Sequence, residues 1–272
     1  MIKSRSGNLR RHADPPSFIA RPLGAGAIST YHFLHIPKTG GTSVTDFLRT
    51  QIPEERIYPG AFDHQIVREP EDAPRFDLYA GHISIGRAPG DPRLITMLRN
   101  PRQRLLSAFG HWRAVAERKR DSPKPGNGFV SQFLEMSLEE FLAAETPALK
   151  RVTMNLQSRL LAGGQYGTKK STRAQVFGPE LGDEEVLEAA THTLRNCFYF
   201  GFTEDLNASI QRLAALGGWP HPETRYRSKV TPSWARPTEA PEISEDKLKS
   251  ATSLDDRLYA AAKDIYRERF GG

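Results

Sequence analysis

One cysteine, Cys197, occurs among the 272 residues, so neither an intrachain disulfide nor a cysteine-based zinc cluster can form, which fits a reducing compartment. The chain also lacks any run of about 18 apolar residues, the length that a membrane-spanning helix requires. Its first eleven residues carry Lys3, Arg5, Arg10 and Arg11 without an acid, yet no apolar stretch follows that could form the core of a secretory signal. A soluble, cytoplasmic protein is the expectation. Apolar residues are not scarce enough for disorder: they make up 38%, beside 26% charged residues, and 22 glycines and 20 prolines mark long loops. Acids fall short of bases, 32 against 38, and the formal charge of +6 favours an anionic partner.

At roughly 150 residues per domain, the length fits one large domain better than two. Residues 1–30 are basic and broken by Asp14-Pro15-Pro16, Pro22 and Gly24 to Gly26, which reads as a flexible basic arm. Residues 31–272 are then expected to form a single domain. Short apolar runs at Tyr31–Ile36, Leu78–His82, Leu94–Leu98 and Cys197–Phe202 read as strands. Helical periodicity follows three of them: Val44, Phe47 and Leu48 after a cap at Thr42 or Ser43; Leu105 to Ala116; and a helix capped by Thr203 and running to about Leu216. Further helices are expected from the capping box at Ser137 and over Leu149–Leu161, Glu184–Leu194 and a last amphipathic segment with Leu254, Leu258, Ala261, Ala262, Ile265 and Tyr266 inward. Residues 162–182 read as a mobile basic loop. Strands alternating with helices predict an α/β fold with a parallel sheet covered on both faces.

Ligands of such sheets gather beyond the carboxyl ends of the strands, where a glycine turn exposes N–H groups at a helix start. Pro37-Lys38-Thr39-Gly40-Gly41-Thr42-Ser43 has that arrangement. Gly40 and Gly41 let the backbone approach an anion, Thr39, Thr42 and Ser43 add hydroxyls, and Lys38 adds charge. The plain alternative is a surface turn before a capped helix. A Walker A loop places its lysine after the last glycine, whereas here Lys38 precedes both, at the entry of the loop.

The segment His35-Ile36-Pro37-Lys38-Thr39-Gly40-Gly41-Thr42-Ser43 resembles the 5′-phosphosulfate loop of sulfotransferases that use 3′-phosphoadenosine 5′-phosphosulfate (PAPS). It is most similar to carbohydrate sulfotransferases of the heparan sulfate 2-O-sulfotransferase type. The resemblance covers about residues 31–235 and implies a P-loop-like three-layer α/β sandwich with a central, mostly parallel sheet. Ile95 to Ser107 resembles the family's 3′-phosphate motif. An arginine fork at Arg99 with a hydroxyl at Ser107 suits a phosphate monoester. From residue 99 to 120, seven Lys or Arg stand against Glu117; Arg102, Arg104 and Arg118 to Arg120 read as a solvated basic face. Phe200 to Asp205 resembles the family's strand and helix after the cofactor site, and Asn155-Leu156-Gln157 resembles a helix motif of bacterial members. Arg225 to Lys229 resembles a loop that approaches PAPS, which implies Ser228 and Lys229 as ligands.

Sulfuryl transfer requires charge neutralisation on the leaving phosphate, assigned to Lys38 and the loop N–H groups, and a base for the acceptor hydroxyl. Tyr79-Ala80-Gly81-His82-Ile83-Ser84 resembles the family's Gly-His catalytic region, which makes His82 the candidate base, with His64 or Glu69 as substitutes. No metal is expected in this chemistry. A saccharide hydroxyl is the favoured acceptor. Two competing readings are an ATP-dependent P-loop phosphotransferase, which needs a lysine after the glycines and a magnesium-binding aspartate, and a nucleic-acid-binding protein, motivated by the net charge and the basic arm.

Overall fold

The computed structural model describes residues 30–66, 76–121, 128–164, 181–223, 225–226 and 245–271. The basic arm, Glu69, most of the loop at 162–182, Ser228 and Lys229 lie outside them. Strands β1 (Tyr31–Leu34), β2 (Leu78–Gly81), β3 (Arg93–Leu98) and β4 (Tyr199–Phe202) form a sheet in the order β2-β1-β3-β4. All three pairings are parallel. The helices are α1 (Gly41–Gln51), α2 (Pro101–Lys119), α3 (Gly128–Ser131), α4 (Leu138–Ala143), α5 (Pro147–Thr153), α6 (Leu156–Leu161), α7 (Asp183–Asn196), α8 (Leu206–Gly217) and α9 (Glu245–Phe270).

Side chains alternate across a strand, and here both faces are buried, as a parallel sheet demands. Phe33, Ile95, Met97 and Tyr199 pack on one face with Val44, Phe47 and Leu48 of α1 and Ile210, Leu213 and Ala214 of α8. Leu34, Leu94, Leu98 and Phe200 pack on the other with α6, α7 and the Leu258, Ala262 and Ile265 stripe of α9. A third core joins α2 to α4 and α5 through Phe109, Phe141 and Leu149, and Leu248 and Ala251 of α9 close it. Among the described residues, no helix is long and apolar enough to cross a membrane.

Several boundaries differ from the sequence pattern for local reasons. The helical stretch expected over Leu149–Leu161 breaks at Asn155, which is left-handed at φ 42°, a conformation asparagine tolerates better than most residues. Its N–H donates to Ala251 O and its Oδ1 accepts from the N–H of Leu254, so the break docks the chain on α9. Cys197 is the C-cap of α7 rather than strand. Thr203 opens a 3-10 turn, Thr203–Asp205, instead of capping α8. Ala261 and Tyr266 are only half-buried, while Asp255 and Tyr259 join the inner face of α9.

Candidate functional site

The chain passes from β1 to β2 on one side and returns to β3 on the other, so the carboxyl ends of β1 and β3 flank a topological switch point, the usual ligand crevice of an open α/β sheet. On the β1 side the loop bends through two left-handed residues, Lys38 at φ 73° and Gly40 at φ 79°. For a lysine this backbone costs about 1 kcal/mol. Gly40 itself is the N-cap of α1, with no side-chain cap bond, so neither Thr42 nor Ser43 caps the helix; both fall inside its first turn. Thr39 is fully buried and its hydroxyl donates to Ile36 O at 2.8 Å. That hydroxyl braces the turn instead of facing the crevice.

Arg99 lies just beyond β3. Its Nη1 donates to Lys38 O at 3.2 Å, bringing the guanidinium onto the β1 loop. Its peptide groups are held by one side chain: Gln157 Oε1 accepts from Arg99 N–H and Gln157 Nε2 donates to Arg99 O, each at 2.9 Å. Asn100 caps α2 by accepting from Gln103 N–H, with Pro101 at the first helical position, and its own N–H donates to Glu204 Oε1. The Thr203 hydroxyl sits 2.6 Å from Thr39 O and 3.0 Å from Leu98 O, bridging the two loops. Ser107 is half-buried on α2, four residues before His111 and therefore on the same stripe. Burial, followed by the charges of Lys38 and Arg118, lowers the His111 pKa to about 4.

His82 directly follows β2. Its Nδ1 lies 2.7 Å from His35 O; a carbonyl only accepts, so Nδ1 carries the hydrogen and the neutral ring has its lone pair on Nε2. The ring stacks on His35 with centroids 4.6 Å apart. His35 in turn presses on the start of α1, where a Cβ at Gly41 would lie 2.0 Å from its ring, so only glycine admits this contact. Burial lowers the His82 pKa, opposed by the bond to His35 O and by Asp63. Burial, then His82 and Lys38, take His35 down to about 3. Both rings are neutral at physiological pH. Buried Asp63 accepts from Ser84 N–H and hydroxyl at 2.7 and 2.6 Å, fixing the turn after His82. His64 is exposed and stacks on Phe62, whose ring contacts His82; it stands one ring further out.

Arg104 departs from the expected solvated face: it is 1% exposed and its Nη2 donates to Val152 O at 3.0 Å, near the end of α5. Arg102 is exposed and paired with Glu245. Residue patterns did not single out His35, His111, Gln157 or Asp63 for a role in the site. Gln157 did fall within a segment singled out by resemblance, and His35 opens the glycine-loop motif.

This fold defines a parallel α/β protein whose sheet has its switch point between β1 and β3. No family model and no curated protein matches the sequence. Among solved structures, the chain is similar to the crystal structure of mouse sulfotransferase SULT7A1 complexed with PAP, at 14% identity across 88% of this chain and 89% of that one, with a TM-score of 0.42.

Proposed function

We propose that the chain is a sulfotransferase that moves the sulfuryl group of PAPS to an acceptor hydroxyl, on a carbohydrate, and releases adenosine 3′,5′-bisphosphate. The observation that carries this reading is the meeting of Lys38 and Arg99 across one crevice, the guanidinium touching the lysine's own carbonyl, with the His82 ring held beside the same loop through His35. A nucleotide phosphorylated at both ends supplies an anion for each cation.

In this reading Lys38 and the N–H groups of Gly40, Gly41 and Thr42 neutralise charge building on the 5′-phosphate oxygen as its bond to sulfur breaks, while the Ser43 N–H donates to Gly40 O at 3.1 Å and closes the turn. The acceptor oxygen forms the new bond to sulfur in line, and its proton passes to Nε2 of His82, the lone-pair nitrogen. Arg99 and Ser107 hold the 3′-phosphate, and Ser228 and Lys229 are assigned to the same nucleotide by resemblance. Thr39 contributes through the shape of the turn that its hydroxyl braces. Arg99 and the loop backbone are held by bonds within the protein, and electrostatic catalysis gains most from donors held in place before the reaction.

The test is thermal melting with adenosine 3′,5′-bisphosphate in the presence of a chelator, followed by incubation with labelled PAPS and a panel of saccharides and simple alcohols. A raised melting temperature and label on a saccharide are expected. No shift at saturating nucleotide overturns the reading; label on alcohols alone overturns only the carbohydrate acceptor.

A further inference from the structure

We infer that Gln157 is the positioning residue for Arg99, setting the strand end from which the guanidinium enters the crevice; this rests on the reading of Arg99 as the 3′-phosphate ligand. A side chain 1% exposed must find its hydrogen-bond partners within the protein. Gln157 sends both ends of its amide across 58 residues of sequence to one residue, accepting the Arg99 N–H and donating to the Arg99 carbonyl. Arg99 lies one residue past the last strand pair, Leu98 with Phe202, and this two-point bond satisfies both of its peptide groups and fixes rotation about the peptide units on both sides of it.

Gln157 is itself held from the far side. The carboxylate of Asp255, 1% exposed in the middle of α9, accepts from Gln157 N–H at 3.2 Å, from Ser158 N–H at 2.8 Å and from the Ser158 hydroxyl at 2.8 Å. It thus takes N–H groups that the first turn of α6 leaves without intrahelical acceptors. Asn155 closes the clamp by accepting from the N–H groups of Leu254 and Asp255. The route runs from α9 to α6 to Arg99 through hydrogen bonds alone.

The experiment compares binding of adenosine 3′,5′-bisphosphate with binding of adenosine 5′-phosphate, which lacks the 3′-group, by calorimetry on the full chain. Gln157→Met removes both amide bonds at similar volume, and Gln157→Glu keeps the acceptor while losing the donor. Both variants are expected to lose about three- to tenfold in affinity for the bisphosphate and to keep their affinity for the monophosphate. In the Arg99→Ala background, either change is expected to cost nothing further. Equal losses for both nucleotides, or additive losses with Arg99→Ala, overturn the inference in favour of a general packing role. If Gln157→Met does not fold, Gln157→Glu carries the same comparison. A wild-type chain that binds both nucleotides equally overturns the 3′-phosphate reading itself, so the two failures are distinguishable.

Discussion

The loop leaving β1 and the strand end leaving β3 face the same crevice but are built differently. The first takes its path from its own backbone: left-handed Lys38 and Gly40, a hydroxyl of Thr39 turned back three residues, and a glycine at 41 over which His35 lies flat. The second is held by side chains from far along the chain, Gln157 at 58 residues' distance and Glu204 at 104. The difference teaches that a short motif can encode the path of a local turn, to which Thr203 and Arg99 add bonds on its carbonyls, whereas an arginine is aimed by elements that no nearby residue announces.

The sharpest way to break the comparison is to remove charge from the local loop. Lys38→Ala is expected to lower sulfuryl transfer by two to three orders of magnitude, roughly 3 to 4 kcal/mol of barrier, while Lys38→Gly, which suits the left-handed backbone, should be equally inactive yet more stable by about 0.5 to 1 kcal/mol in urea unfolding. Equal stability of Lys38→Gly and wild type would mean the turn is not strained. Next in size, Gly41→Ala forces a methyl into the His35 ring and should cost about 1 to 3 kcal/mol in the same assay; a neutral result would show that His35 leaves its place freely.

A third measurement uses acidity. His32, whose Nε2 is 3.0 Å from Ile83 O, is pulled down to about 4 chiefly by burial, and His35 lies lower still for the same cause. Because their folded values fall below that of the unfolded chain, the unfolded state takes up protons first. Stability is therefore whole above about pH 6.5 and declines as pH falls toward 4, by on the order of 1 kcal/mol per pH unit for a ring as buried as His32. Urea midpoints at about pH 7 and pH 5 should show this fall, and a flat profile would contradict the buried neutral rings. The smallest effect is expected where the two loops join: Thr203→Val removes the hydroxyl shared by Thr39 O and Leu98 O and should cost about 1 kcal/mol, with loss of transfer activity exceeding loss of stability if the bridge aligns both loops.

The same contrast sets how much could be read from residues alone. The parallel α/β arrangement was legible because short apolar runs alternate with helical stripes, and the glycine turn after β1 was legible because its neighbours in sequence are its neighbours in space. Thr203 before an apolar helical stripe fits a cap; its hydroxyl goes instead to two carbonyls of other loops, and no local pattern encodes them. The basic run on α2 predicts a solvated Arg104, and its burial follows from α5 packing against it, with Val152 O accepting from the guanidinium. The break at Asn155 was hidden because Leu149, Leu156 and Leu160 keep a helical spacing across it. The ring pair of His35 and His82 joins two strand ends 47 residues apart, which only the sheet order brings together.

The pairing register has one more consequence. β1 ends at Leu34 opposite Thr96, whereas β3 continues to Leu98 alongside Phe202, two residues and so about 7 Å further along the strand axis. The crevice floor is a step, low beside β1 and high beside β3. An elongated molecule laid across a step cannot be turned end for end and meet the same surroundings, so the direction in which a ligand lies is already written into the stagger of two neighbouring strands.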